Sequence, residues 1–390
     1  MKKSLLTPCL LAASIVAAAG TQAAELRFNG FASIAAGKTL SEGSNLTRQT
    51  DPTLPNPGSV TATQDNTFTA DSPTSGTYDD DISFKPDTIF GLQISADLGE
   101  GLTVTGQITG AGGEDFDANI AWAYLSYELN DSWTLLAGRQ RLPFFFYSDF
   151  LDVGYAYHWM RAPVETQVAV DTLDGIQFRY EGSAGSWDTR VQLYGGASDN
   201  ESKALGDTVV LEDAIGAVFY ASNDWLQLRA THMVTDFYLE TAGAIFGQDD
   251  SDAISADFTG VAAHMTLGNG FVVAEYVTYT FDDAVQPVGW TTYEGAYISA
   301  GYRVGDFTPH ITFSTDNQEI EDSVFAGFGL TDGDQASDSI TVGVRWDFHP
   351  QAAFKVEYLT RSDESDDNIE AYYGDNQEVD VISAGFDIIF

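Results

Sequence analysis

Residues 379–390 read VDVISAGFDIIF and decide the class of fold. Every second side chain in the last part of this stretch is apolar, and the apolar set is Ile382, Ala384, Phe386, Ile388 and Phe390. The positions between them up to residue 387, namely Ser383, Gly385 and Asp387, are small or polar. A period of two predicts a β-strand with one apolar and one mixed face. At about ten residues, such a strand is long enough to cross a bilayer when it is tilted.

The chain ends on an aromatic residue of this strand. A terminal Phe390 with Phe386 and Ile388 on the same face resembles the assembly signal of bacterial outer-membrane barrels. That resemblance implies the barrel assembly machinery as a partner. The alternative interpretation is an ordinary amphipathic strand in a soluble sandwich.

The other end of the chain predicts export. Lys2 and Lys3 precede an apolar run over residues 5–19, followed by a small and polar stretch to Ala24. This pattern is typical of a signal peptide, so we expect cleavage of residues 1–24 and a single barrel domain over residues 25–390. A membrane anchor is the alternative, but the run is short and contains Pro8. Cys9, the only cysteine, lies in this leader, so we expect no disulfide or thiolate metal site.

Charge and composition exclude two classes of protein. With 58 Asp and Glu against 17 Lys and Arg, the formal net charge is −41, which excludes nucleic acid as a partner. A disordered acidic chain would lack the 25 Phe, 18 Tyr and 37 Gly found here. Aromatic and glycine richness favours β structure.

Short and long connections alternate along the chain. Seven tight turns rich in Gly, Asn, Asp and Ser separate paired strands, and eight longer polar loops lie between the pairs. This alternation predicts an all-β, antiparallel transmembrane β-barrel of about sixteen strands, with both ends on the short-turn side. The predicted strands are 26–37, 88–98, 102–111, 119–129, 133–142, 173–182, 187–197, 214–222, 225–237, 257–267, 271–282, 291–304, 307–318, 338–348, 352–362 and 379–390.

Basic residues fall on the strand face opposite the apolar one. Arg345, for example, alternates with Val342, Val344 and Trp346 on its strand. A cation facing lipid would cost about 2 to 4 kcal/mol near the bilayer midplane, so these charges are predicted to line a wet lumen. The predicted pore-wall set is Arg27, Arg179, Arg190, Arg229, Arg303, Arg345 and Lys355. Buried ion pairs inside a narrow barrel are the alternative.

The third long loop is aromatic where the other loops are acidic. Residues 138–172 read GRQRLPFFFYSDFLDVGYAYHWMRAPVETQVAVDT. So much aromatic surface is poorly suited to water, so we expect the loop to pack against the inner barrel wall. A fold outward, as an interface or lid, is the alternative.

The combination of leader, sixteen strands, folded third loop and terminal phenylalanine resembles the trimeric porins of Gram-negative bacteria over nearly the whole chain. The resemblance implies a homotrimer in the outer membrane, reached through the periplasm and in contact with lipid and lipopolysaccharide. It also implies a constriction of loop acids facing wall bases. The residues carried over are Asp149, Asp152, Glu165, Arg139, Arg141 and Arg161.

The predicted function is passive diffusion of small hydrophilic solutes and ions through a water-filled channel, with a mild cation preference from the acidic loops. A substrate-specific channel for a sugar, carboxylate or phosphate is the main alternative. A barrel enzyme is the other, but the five histidines match no nucleophile or metal spacing, and no GxSxG is present. We therefore expect no catalysis, no cofactor and no metal, although acidic loops could bind hard cations.

Overall fold

The computed structural model describes residues 24–40, 45–48, 60–63, 68–69, 76–167, 170–202, 207–240, 253–285, 290–320, 335–363 and 378–390. Sixteen antiparallel strands form one closed barrel, in which each strand pairs with its neighbours in sequence and the last strand pairs with the first. The predicted leader, residues 1–24, lies outside the described residues apart from Ala24.

The barrel strands are β1 (Glu25–Thr39), β6 (Ile89–Gly99), β7 (Leu102–Ala111), β8 (Ala118–Asn130), β9 (Trp133–Arg141), β10 (Thr172–Ala184), β11 (Trp187–Ser202), β12 (Asp207–Ser222), β13 (Leu226–Leu239), β14 (Ile254–Leu267), β15 (Gly270–Val285), β16 (Trp290–Tyr302), β17 (Phe307–Ile320), β18 (Gln335–His349), β19 (Ala352–Asp363) and β20 (Glu378–Ile389). Two short pairs precede β6, namely β2 (Asn45–Arg48) with β3 (Val60–Thr63) and β4 (Phe68–Thr69) with β5 (Thr77–Tyr78).

The two ends of the described chain close the barrel on the short-turn side. The Gly30 N–H donates to the Phe390 carbonyl at 2.7 Å, and the Phe390 N–H donates to the Gly30 carbonyl at 2.9 Å. The Phe390 ring stacks on Phe90, with centroids 6.1 Å apart. Closure leaves no unpaired sheet edge between β1 and β20, as a barrel in lipid requires.

The two faces of the wall differ as the alternation predicts. On β18, Ile340, Val342, Val344 and Trp346 are exposed on the outside, while Arg345 faces inward and is half-buried. On β20, Phe386 is exposed on the outer face, and the inward Asp387 is buried. The outer surface is therefore apolar and the inner surface polar, the arrangement expected for a barrel in a bilayer.

All sixteen predicted strands are confirmed, and most boundaries agree within three residues. The largest difference is β12, which begins at Asp207 instead of residue 214. Its ladder to β13 shifts register between Glu212 and Ile215, and Asp213 has φ 48°. A bulge of this kind interrupts the period of two, so the prediction that the acidic segment before it is a loop is wrong.

The first loop holds strands that the sequence did not predict, because its Pro-rich segment lacks an alternating pattern. Its last part folds back toward the barrel. Tyr78, only 1% exposed, belongs to a buried cluster with Val164, Leu359 and Val381. The first and third loops therefore meet beside β19 and β20.

Among the described residues, no helix is long and apolar enough to cross a membrane.

Candidate functional site: the third loop inside the barrel

The third loop, residues 142–171, leaves the barrel wall where the ladder between β8 and β9 stops at the pair Ala123 and Arg139. Three short 3-10 turns shape it, at Ser148–Phe150, Gly154–Ala156 and Val164–Thr166. Local hydrogen bonds pair some of the loop's backbone groups; for example, the Phe150 N–H donates to the Tyr147 carbonyl at 3.1 Å. The remaining backbone groups need partners on the wall, since a buried loop cannot leave them unpaired.

Aromatic side chains of the loop pack against the inner wall. The ring centroids of Phe144 and Phe258 of β14 are 4.2 Å apart, and those of Trp159 and Tyr297 of β16 are 5.5 Å apart. Trp159 is 1% exposed and Phe144 is 2% exposed. These contacts confirm the prediction that the loop packs on the inner wall. The loop packs there because burying its aromatic rings is more favourable than exposing them to water.

Three cations of the wall donate to loop carbonyls. Arg229 of β13 donates to the Phe144 carbonyl at 2.6 Å and also to the Pro143 carbonyl. Arg345 of β18 donates to the carbonyls of residues 155 and 157, both at 2.6 Å. The third cation is Lys355 of β19. All three face inward as predicted, but they bind the loop and do not line open water.

Lys355 of β19 is the most enclosed of the three, with no exposed surface. Its ammonium donates to the carbonyls of Gly154, 2.7 Å, and Trp159, 2.5 Å, and lies 2.7 Å from a carboxylate oxygen of Asp387. Asp387 also accepts a hydrogen bond from Ser33 at 2.5 Å. A buried charge is tolerated only when it is fully paired, and this network supplies the pairing.

Inward carboxylates accept from the loop backbone. Glu275 of β15 accepts from the Phe146 N–H at 2.6 Å, and Glu357 of β19 accepts from the Met160 N–H at 2.8 Å. Alternation places both residues on the inner face. No sequence pattern shows which loop atoms Glu275 and Glu357 contact. The predicted constriction therefore does not include these two residues.

A buried polar cluster joins the loop to β16 and β17. His158 Nε2 lies 2.9 Å from Ser299 Oγ, and the Trp159 indole N–H donates to Thr312 Oγ1 at 2.7 Å. The His158 and His310 rings are 4.8 Å apart between centroids. Burial lowers the pKa of His158 well below its usual value, and His310, Lys355, Arg345 and His264 add to the shift.

Of the three predicted loop acids, only Asp149 is exposed. Its carboxylate lies 3.7 Å from the guanidinium of Arg190 on β11, and the two side chains are 60% and 38% exposed. Arg190 also pairs with Glu181 at 3.1 Å. The structure therefore brings one predicted loop acid to one predicted wall base.

The other two loop acids are buried. Asp152 pairs with Arg141, and that guanidinium also lies 3.0 Å from Asp171. Burial raises the pKa of Asp152, an effect that the charge of Arg141 opposes. Glu165 is 1% exposed and accepts a hydrogen bond from Ser339 of β18. These two carboxylates hold the loop in place and do not face a passing solute.

The prediction for Arg139 is wrong. Arg139 stands in register with Ala123 and Asp174, on the same face of the wall as the exposed Ile176. Its guanidinium donates to Asp174 at 2.6 Å and 2.9 Å, outside the lumen. The apolar residues at 135 and 137 of the same strand share its parity, so alternation within β9 could have shown this.

The remaining predicted bases lie apart from the Asp149 and Arg190 pair. Arg161 of the loop is buried against Asp87 at 3.0 Å. Arg27 pairs with Glu25 and Arg303 with Asp347, each at 3.1 Å, near the short-turn end. Arg179 faces inward on β10, in register with Gln192 of β11.

No group of three or more His, Cys, Asp or Glu side chains suited to a metal ion occurs in the described part of the chain.

No protein-family model and no curated protein sequence matches the chain. Solved structures do match. The outer membrane channel DcaP of Acinetobacter baumannii has 14% identity and a TM-score of 0.58, covering 94% of this chain and 97% of that chain. The anion-selective porin from Comamonas acidovorans has 13% identity and a TM-score of 0.55, covering 94% and 100%.

OmpT of Vibrio cholerae, an outer membrane protein in a trimer form, has 11% identity and a TM-score of 0.52, covering 95% of this chain and 100% of that chain. At such identities the likeness is one of fold. The chain therefore has the closed sixteen-stranded antiparallel barrel fold of the outer-membrane porins.

Proposed function

We propose that this protein is an outer-membrane channel for passive diffusion of small hydrophilic solutes and ions. One observation carries the proposal: a closed barrel, apolar outside and polar inside, holds its third loop against one side of the lumen and presents Asp149 to Arg190 there. Such a loop narrows the passage, and the opposed charges set the field within it. The proposal assigns no catalysis.

The same proposal includes a mild cation preference. The net charge is −41, and the consecutive Asp79, Asp80 and Asp81 are exposed on the loop side. Clustered carboxylates raise the local concentration of cations. A porin of similar fold is anion-selective, so the proposed cation preference rests on the side chains of this chain and not on the fold.

We further propose a homotrimer in contact with outer-membrane lipid and lipopolysaccharide, exported through the periplasm and inserted by the barrel assembly machinery. The trimer form of the similar OmpT and the apolar outer surface support this proposal. Native mass in detergent tests it, and a monomeric mass would contradict the trimer.

Planar bilayer recording tests the channel function directly. The protein refolded in detergent is expected to insert in discrete conductance steps in potassium chloride, and a salt gradient is expected to give a reversal potential of the cation-preferring sign. Heat-denatured protein is the control. A correctly folded barrel that never conducts would overturn the channel, whereas the opposite sign would overturn only the preference.

A substrate-specific channel is the second candidate. Several inward side chains of β7 to β10 carry buried hydrogen-bond donors with no partner among the described residues.

A further inference from the structure

Four charged side chains face the lumen together near its short-turn end. They lie on β10, on β11 and on the third loop, and are here named the dipolar cluster: Arg179, Glu181, Arg190 and Asp149. Glu181 is in register with Arg190, and Arg179 is the next inward residue of β10. Diagonal neighbours on paired strands are about 7 to 8 Å apart, within reach of long side chains. The four charged groups can therefore act on one solute.

The charged groups of the cluster are accessible from the lumen. The side chains of Asp149, Glu181 and Arg190 are 60%, 57% and 38% exposed. Arg179 is half-buried, and among its nitrogens only Nε is both enclosed and unpaired. Its two terminal nitrogens form no hydrogen bond with any other described residue. These two nitrogens are therefore in contact with water, and a solute in the lumen can reach them.

The charges of the cluster are unevenly paired. Arg190 is shared by two carboxylates, with Glu181 at 3.1 Å and Asp149 at 3.7 Å. The longer of these contacts exceeds a hydrogen bond, so Asp149 keeps its capacity to accept one. Arg179 pairs with no carboxylate in the described part of the chain. The cluster therefore offers an unpaired cation next to carboxylates that are only partly neutralised.

This arrangement selects a solute that carries both charges. An anion drawn to Arg179 also meets the carboxylates of Glu181 and Asp149, and a cation drawn to these carboxylates meets Arg179. A zwitterion avoids both conflicts, because its carboxylate accepts from a guanidinium while its ammonium donates to a carboxylate. The charges of the cluster are neighbours, so those of the solute must also be close. An α-amino acid carries both on one carbon, and both are ionised at pH 7.

We propose that the dipolar cluster is a binding site for α-amino acids passing through the channel. The inference rests on the proposed channel function and names a solute class for it. The solute carboxylate accepts from the terminal nitrogens of Arg179, and the solute ammonium donates to Asp149 and Glu181. Exposed ionic contacts contribute little each, so the site holds its solute weakly and releases it, as passage requires.

Single-channel recording in potassium chloride at pH 7 tests the site, with L-2-aminobutyrate as the probe. Its isomer 4-aminobutyrate carries the same two charges at opposite ends of the chain, and butyrate and butylammonium carry one charge each. L-2-aminobutyrate is expected to block the ionic current in a saturable manner. At equal concentration its block is expected to exceed that of each comparison solute.

Two variants test the location of the site. Arg179→Met removes the unpaired cation and keeps an apolar stem, and Asp149→Asn removes the loop carboxylate. Each is expected to raise the half-blocking concentration of L-2-aminobutyrate by about threefold, and the double variant by about tenfold. Arg303→Met is the matched control, since Arg303 is 63% exposed and pairs with Asp347 outside the cluster. It should leave the block unchanged.

The outcomes separate the two proposals. A channel that conducts without saturable block by L-2-aminobutyrate overturns the amino-acid site and leaves the channel function intact. Equal block by 4-aminobutyrate, or stronger block by butyrate or butylammonium, also overturns the site, as does unchanged block in the double variant. A folded protein that does not conduct overturns both proposals. Heat-dependent migration in gel electrophoresis confirms that each variant is folded.

Discussion

The two sides of the lumen use the same kinds of side chain in opposite ways. On the side from β13 to β20, here named the anchoring wall, Arg229, Arg345 and Lys355 all donate to carbonyls of the third loop. On β10, across the lumen, the inward Gln177 Nε2 and Arg179 Nε are buried without a hydrogen-bond partner among the described residues. An inward polar residue is therefore paired where a group of the third loop reaches it and unpaired where none does.

The largest expected effect comes from the anchoring wall at Lys355. Lys355→Met removes the cation that pairs with the buried Asp387 carboxylate and the donor to two loop carbonyls. Removing one partner of a buried pair costs about 3 to 5 kcal/mol, so the loop is expected to detach and the barrel to unfold at lower temperature. Limited proteolysis of the loop and the temperature of gel-shift unfolding measure both effects.

Arg303→Met is the matched control for that substitution. Arg303 pairs with Asp347, but its side chain is 63% exposed. An exposed pair contributes little, so stability is expected to change by less than about 1 kcal/mol. Equal losses in the two variants would contradict the distinction between the anchoring wall and the exposed pairs.

A smaller effect is expected where the loop backbone touches the wall. A Cβ on Gly295 of β16 would lie 1.8 Å from the Glu165 carbonyl oxygen. Gly295→Ala must push the end of the loop away, at a cost of about 1 to 3 kcal/mol. We expect a changed single-channel conductance with the barrel still folded. Gly268→Ala is the control. The added Cβ would lie in open space, but the residue has a φ of 65°, so this variant measures backbone strain without a clash.

Acid pH should weaken the packing of the loop through His158. Its pKa is lowered in the packed state, so the detached loop binds the proton more readily. Packing is therefore most stable above about pH 6.5 and loses about 1.4 kcal/mol per pH unit as pH falls below that value. Current fluctuations recorded between pH 7 and 5 should increase. The raised pKa of Asp152 acts in the opposite direction, so His158→Gln isolates the histidine contribution.

If His158→Gln keeps the full pH dependence of the parent channel, a different group is responsible. The variant retains a side-chain polar atom for Ser299, which lies 2.9 Å from His158. Loss of folding is therefore not expected to obscure the result.

The smallest effect is expected at the exposed pair between loop and wall. Asp149→Asn should shift ion selectivity toward anions, and Arg190→Gln should shift it toward cations, since their side chains are 60% and 38% exposed to the lumen. At about 1 kcal/mol for unit charges 4 Å apart in water, each permeability ratio should change by no more than about fivefold. Reversal potentials measure both variants. Shifts of the same sign would contradict opposed roles.

Much of the site is predictable from the sequence, and each wrong or missing prediction has an identifiable cause. The inward direction of Arg190 and Lys355 follows from alternation, and the aromatic composition of the third loop predicts its burial. Arg139 was assigned to the constriction by resemblance, although its own strand places it outside. Glu275 was missed because its partner, the Phe146 N–H, lies 129 residues away along the chain.

By itself, the sequence determined the barrel: strand number, register parity, closure at Phe390 and an apolar exterior. The period of two and the turn residues are local properties of the sequence. Lipid outside and water inside require apolar and polar side chains to alternate along each strand. Only the tertiary structure decided that Lys355 is enclosed by the third loop while Gln177 lies unpaired across the lumen. Both residues face inward, and their environments differ because loop carbonyls accept from Lys355, whereas Gln177 Nε2 has no partner among the described residues.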